Sequence, residues 1–181
     1  MSNYSNQNNL LLTNLIKFYN INDNLQKMLT IINGQSNISL RIVDWFATNY
    51  AKQKFTTYNL KNGTRFKVYN DYKLKLRSYS KKRFDPFCRW ERITIPYNDN
   101  TSIQTTIGQL NFFKWAIENE VIDYIQNNYK IIENDMNNRN STSKRKNSKT
   151  QQKTRKKREE LSICASKSIK QEKVSITIKF D

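Results

Sequence analysis

The sequence predicts an α+β fold. N-terminal helices come first, then two β-hairpin–helix units forming a small antiparallel sheet, a disordered basic segment and a C-terminal strand. Three observations carry that expectation. Apolar residues recur at three- and four-residue spacings over 22–33, 39–52 and 106–132. Two short alternating runs flank an Asn-Gly turn at 61–64. The run 137–158 contains no aliphatic or aromatic side chain that could drive burial.

In chain order, residues 8–18 and 22–33 read as short helices, the second carrying Leu25, Met28, Leu29 and Ile32 on one face and stopping at Gly34. A third helix is expected from Ser39 to about Lys52, with Leu40, Val43, Phe46 and Ala47 turned to the core. The runs 54–60 and 65–70 form a hairpin around Lys61-Asn62-Gly63-Thr64, because Asn-Gly tolerates the positive φ angles of a type I′ turn. Asp71 then caps a helix to about Tyr79, although its near-alternation of charged and apolar residues also fits an extended strand. Pro86 disfavours helical geometry at Asp85 and makes FDPF a turn.

Strands at 91–97 and 101–107 follow. Thr106 and Gln109 have capping-box spacing, and Leu110, Phe113, Ile117, Val121 and Tyr124 mark one long helix to about Ile132. The two hairpins are expected to join in a single antiparallel sheet covered by helices. Near the end, Val174, Ile176, Ile178 and Phe180 alternate with polar residues as a last strand. Composition divides the chain into an N-terminal helical segment (1–38), an α+β core (39–135), a basic arm (136–158) and a strand-containing segment (159–181).

The residue inventory removes several chemistries. The 181 residues include no His, which removes the side chain most used for acid–base work and metal binding near neutral pH. Cys88 and Cys164 are far apart and form neither a CxxC pair nor a disulfide framework, as suits a reducing compartment. Gly34, Gly63 and Gly108 are the only glycines, so no Gly-rich phosphate loop exists. No paired catalytic carboxylates stand out, and Asp85 is expected to bond turn backbone or pair with a neighbouring arginine. The expectation is a non-enzymatic protein with no cofactor and no metal. The short apolar stretch near the start lacks a basic flank and reads as neither a signal peptide nor a membrane span. The 25 Asn, with abundant Lys and Ile, share A/T-rich codons and report genome composition more than function.

The net charge of +17 is concentrated. Residues 61–92 hold 11 Lys/Arg and 3 Asp/Glu, and 136–158 hold 10 Lys/Arg and no acid, while everything else balances to −1. Two basic blocks in an otherwise balanced chain focus potential and attract a polyanion, with nucleic acid the leading class. In the first block the candidate contacts are Lys73, Lys75, Arg77, Lys81, Lys82, Arg83, Arg89 and Arg92. Arginine grips a phosphate through two parallel hydrogen bonds, and lysine supplies a mobile point charge. Phe84, Phe87 and Trp90 recur among them every three residues and are expected to anchor this loop to the core.

In the second block the candidates are Lys144, Arg145, Lys146, Lys153, Arg155, Lys156, Lys157 and Arg158. Their two clusters approximate a bipartite nuclear-import signal with a short linker, and they equally suit a nonspecific DNA-binding arm. Ser141, Ser143, Ser148, Thr150 and Thr154 lie among these cations, and phosphorylation there would cancel charge. No sequence-reading motif is evident, so the expected binding is phosphate-directed and nonspecific.

The stretches SLRIVDWFATNYAKQ (39–53), YSKKRFDPFCRWERI (79–93) and TTIGQLNFFKWAIENEVIDYI (105–125), with REELSICASKSI and VSITIKF near the end, resemble an uncharacterised protein family of nucleocytoplasmic large DNA viruses, the giant viruses. The resemblance spans about 39–181 and carries over no functional residue. It implies a viral setting, in the virion or the host cytoplasm or nucleus and not secreted. It also favours DNA over RNA, since small basic proteins of such viruses are often packaged with the genome. The alternative expectation is a viral structural or assembly protein whose basic surface meets an acidic protein partner. Oligomeric state stays open.

Overall fold

The computed structural model describes residues 2–88, 91–98, 101–148 and 170–173. Helices α1 (Ser2–Tyr19) and α2 (Asn24–Ile32) lead into α3 (Leu40–Trp45), a π-helical turn (Phe46–Tyr50) and α4 (Ala51–Lys54). The hairpin β1 (Thr57–Asn59) and β2 (Arg65–Lys67) precedes α5 (Val68–Phe84). Next come β3 (Arg92–Asn98), β4 (Thr101–Thr106), α6 (Ile107–Glu118), α7 (Val121–Asn127), α8 (Tyr129–Ser148) and β5 (Lys170–Lys173). The α+β class is as expected.

The amphipathic stripes do what their spacing requires. Met28, Leu29 and Ile32 of α2 are buried, and so are Leu40, Val43, Phe46 and Ala47 of the third helix. Ser39 caps that helix, its hydroxyl accepting from the Ile42 N–H. One contiguous core runs from Leu15 to Met136, with Tyr72, Phe84, Phe112 and Trp115 in mutual ring contact at its centre. Tyr19 of α1 donates its hydroxyl to the Leu110 carbonyl of α6 at 2.6 Å. The N-terminal helices therefore belong to the same core as residues 39–135.

The expected Asp71 cap is absent, since α5 begins at Val68 and Asp71 lies inside its first turn, and four further details differ from the sequence reading. First, the two hairpins lie in separate sheets: β1 and β2 pair only with each other, and β3, β4 and β5 form a second sheet with β4 in the middle. The cause is local. The Tyr58 hydroxyl donates to the Asn119 carbonyl at 2.7 Å and its ring stacks on Tyr124 at 4.8 Å, which lays the first hairpin flat against α6 and α7. Second, only Gly63 takes a positive φ in the Lys61–Thr64 turn. A turn closed by the Gly63 N–H on the Leu60 carbonyl thus replaces type I′ geometry.

Third, the long C-terminal helix is three helices. Glu120 is left-handed at φ 55, while the Asn119 and Asn128 side chains donate to the Trp115 and Tyr124 carbonyls and offer the backbone an alternative to continued helix. Fourth, the basic segment expected to lack structure is helical as far as Ser148. Met136 is buried, and Arg139 bonds Asp135 at 3.1 Å while lying over the Trp45 ring, so the first turns of the segment are held by packing. The alternating run 174–180 and the arm 149–169 lie outside the described residues. The described strand β5 pairs antiparallel with β4, Gln104 opposite Lys170.

Candidate functional site

The first basic block folds as the β1–β2 hairpin and α5. Strand β2 alternates exposed Arg65, buried Phe66 and exposed Lys67, as a strand with one face on a core must. In α5 the helical reading prevails over strand extension because Val68 and Tyr72 reach the core at i, i+4 and Leu76 and Tyr79 pack beside them. The opposite face is left to solvent and carries Lys73 and Arg77, about 6 Å apart along the axis, with Leu74 between them. Lys75 lies off that face. It lines a shallow groove between α5 and α6 together with Asp71, Lys114 and Glu118.

The C-terminal end of α5 is bent deliberately onto α6. Ser80 takes φ 64 and ψ 166, a region open to glycine and costly for other residues, and this redirects Lys81, Lys82 and Arg83 from the helix axis. Asn111 of α6 donates to the Arg83 carbonyl at 2.9 Å. A β-carbon on Gly108 would meet the Asp85 carbonyl oxygen at 2.8 Å and that of Lys82 at 3.0 Å, so only glycine permits the approach. The Asp85 carboxylate accepts from the Phe87 N–H at 2.9 Å, the turn-backbone role expected of it. Phe84 is fully buried and Phe87 partly so, as expected of anchors. Arg92 opens β3 opposite Thr106, at the same start of α6, and its guanidinium reaches Gln104 at 3.5 Å.

Among the described residues, no carboxylate lies within ion-pair distance of Arg65, Lys73, Arg77 or Lys81. The nearby acids are otherwise engaged: Asp71 accepts the Trp115 indole N–H at 2.7 Å, and Asp85 closes its turn. Asp44, half-buried on α3, is pushed up to about 7 by burial and by the neighbouring Asp85 carboxylate, so part of this acidic charge is absent near neutrality. The result is a basic surface of β2 and α5 whose exposed cations are Arg65, Lys67, Lys73, Arg77, Lys81 and Lys82. Arg65 and Lys67 were counted in the basic block without being singled out, and the strand alternation around Phe66 is the signal that places them outside. Lys75 sits apart, Arg83 is half-buried, and Arg92 belongs to the other sheet. Arg89, Lys153, Arg155, Lys156, Lys157 and Arg158 lie outside the described residues. Lys144, Arg145 and Lys146 lie on α8.

No group of three or more potential metal ligands occurs among the described residues, and no helix there is long and apolar enough to cross a membrane. A model of a family of unknown function matches residues 2–181. The chain belongs to that family, DUF7197. The match takes in the N-terminal helices as well as the stretches that carried the resemblance. The chain is similar to "Uncharacterized protein L507" of Acanthamoeba polyphaga mimivirus, 48% identical over 132 residues, covering 68% of this chain. It spans about half, 51%, of that relative's length. A resemblance to an uncharacterised giant-virus protein is therefore supported. No solved structure matches.

Proposed function

We propose that the chain is a non-enzymatic nucleic-acid-binding protein of a large DNA virus, directed to phosphates and indifferent to sequence, acting in the virion or in the host cytoplasm or nucleus. The observation that supports this reading is the basic face of the first hairpin and α5, whose Arg65, Lys73, Arg77 and Lys81 lack carboxylate partners among the described residues. Unpaired cations at a helix face neutralise phosphates and release counterions. DNA is favoured over RNA by the viral setting that the mimivirus relative suggests. The second basic block adds affinity as an arm, its cations Lys144, Arg145, Lys146, Lys153, Arg155, Lys156, Lys157 and Arg158 lengthening the charged track.

The test is fluorescence-anisotropy titration of a labelled 20-base-pair duplex with the full chain over a series of salt concentrations, repeated with poly-glutamate as competitor. Nucleic-acid binding predicts a logarithmic fall in affinity with salt and weak competition. An assembly protein that docks on an acidic partner would instead bind poly-glutamate as well as it binds DNA.

A further inference from the structure

Beside the basic face, α4, β1 and the start of α5 enclose a groove of about 460 Å³, a size that suits a small-molecule fragment. Its walls include Lys52, Phe55, Thr56, Lys67 and Tyr69, with no acidic residue. Two features need explaining. Phe55 is 86% exposed, the most exposed of the large apolar side chains described, and it holds a left-handed backbone at φ 50 that bulky residues adopt only under strain. The Thr56 hydroxyl is buried with no hydrogen-bond partner among the described residues. The left-handed Phe55 ends α4, its own N–H and that of Thr56 both meeting the Ala51 carbonyl, and it leaves the Phe55 ring almost wholly in solvent.

We propose that this groove takes one unpaired nucleobase of a single-stranded nucleic acid. The base stacks on Phe55 and Tyr69, and the flanking phosphates meet Lys52 and Lys67. Every base has a π-face, so aromatic platforms set in a positive groove bind single strands without reading sequence. Lys52 already lies over the Tyr69 ring, its ammonium 5.7 Å from the centroid, which puts a cation and a ring on one wall. The Thr56 hydroxyl has almost no accessible surface, so the rings and the cations, and not this group, hold the base. Lys67 belongs to both the groove and the basic face, so a strand tracking that face arrives at the groove. The inference rests on the nucleic-acid reading and adds the strandedness of the ligand.

The experiment uses the full chain and three labelled 12-nucleotide probes at one low salt concentration: a single strand, an abasic strand of equal charge, and a duplex. Phe55→Asn removes the ring while keeping a residue that tolerates the left-handed backbone, so its melting temperature should equal or exceed that of the parent. The proposal expects this variant to bind the single strand roughly 5- to 30-fold more weakly, the loss of about one stacked base. Binding to the abasic strand and the duplex should stay within about twofold, since the phosphate contacts are unaltered. Equal single-strand affinity of parent and variant, with duplex binding intact, overturns the groove but not the basic face. An equal loss on the abasic strand does the same. If the parent binds none of the three probes, both readings fall.

Discussion

Ser80 and Asp44 show how single residues in this chain trade stability for shape. Ser80 holds φ 64 and ψ 166, which costs a non-glycine residue about 1–3 kcal/mol, and in exchange α5 can bend and turn Lys81 and Lys82 outward. Ser80→Gly should therefore raise the urea midpoint by the equivalent of about 1 kcal/mol, although glycine elsewhere in a helix destabilises. A lower midpoint would mean that the backbone there is not strained. Asp44 has a folded value near 7 against an ordinary 3.8, so the folded state binds the extra proton more tightly. Its contribution sets in as pH falls through about 7 and grows toward 4, and it is lost on going alkaline. Asp44→Asn should stabilise the protein at pH 8 and flatten the rise that the parent shows between pH 8 and 5. An unchanged profile would place the Asp44 carboxylate in water. Neither feature is legible in the sequence, because strain and desolvation are imposed by neighbours that arrive from elsewhere in the chain.

At the scale of elements, local chemistry was legible in the caps and in the apolar stripes. The Thr106 hydroxyl accepts from the Gln109 N–H as the capping spacing required, while the Gln109 side chain turns instead to the Thr105 hydroxyl. The helical stripes of α2 and α3 were equally readable. The breaks at Asn119–Glu120 and Asn128 were not, since asparagine is so abundant in this chain that its helix-ending bonds did not stand out. Gly108 is the sharpest case. In an isolated helix, alanine there would be favoured by about 1 kcal/mol. Against the 2.8 Å approach of the Asp85 carbonyl it should instead destabilise by about 1–3 kcal/mol, read from denaturant unfolding. If Gly108→Ala is neutral or stabilising, α5 is not locked to α6 as described, and the orientation of Lys81 and Lys82 loses its support.

For the whole molecule, the charge blocks were visible in the sequence but their geometry was not. Counting cations located the basic surface, whereas the pairing of Tyr58 with α6 and α7 decided that the two hairpins would form separate sheets. That pairing is a contact 61 residues apart, which no local pattern encodes. The same folding moved Lys75 off the exposed face and drew Arg65 and Lys67 into it. The central claim is that the folded body, and not the arm alone, meets phosphate. The most direct measurement compares the salt dependence of duplex binding for the full chain, for Arg65, Lys73, Arg77 and Lys81 together changed to Gln, and for Lys153, Arg155, Lys156, Lys157 and Arg158 together changed to Gln. Each neutralised phosphate contributes about 0.9 to the logarithmic slope, so the body variant should lose up to roughly 3–4 of it while keeping the parent's melting temperature. A body variant with the parent's slope, beside an arm variant that has lost it, would contradict the account and leave the face of α5 to some other partner.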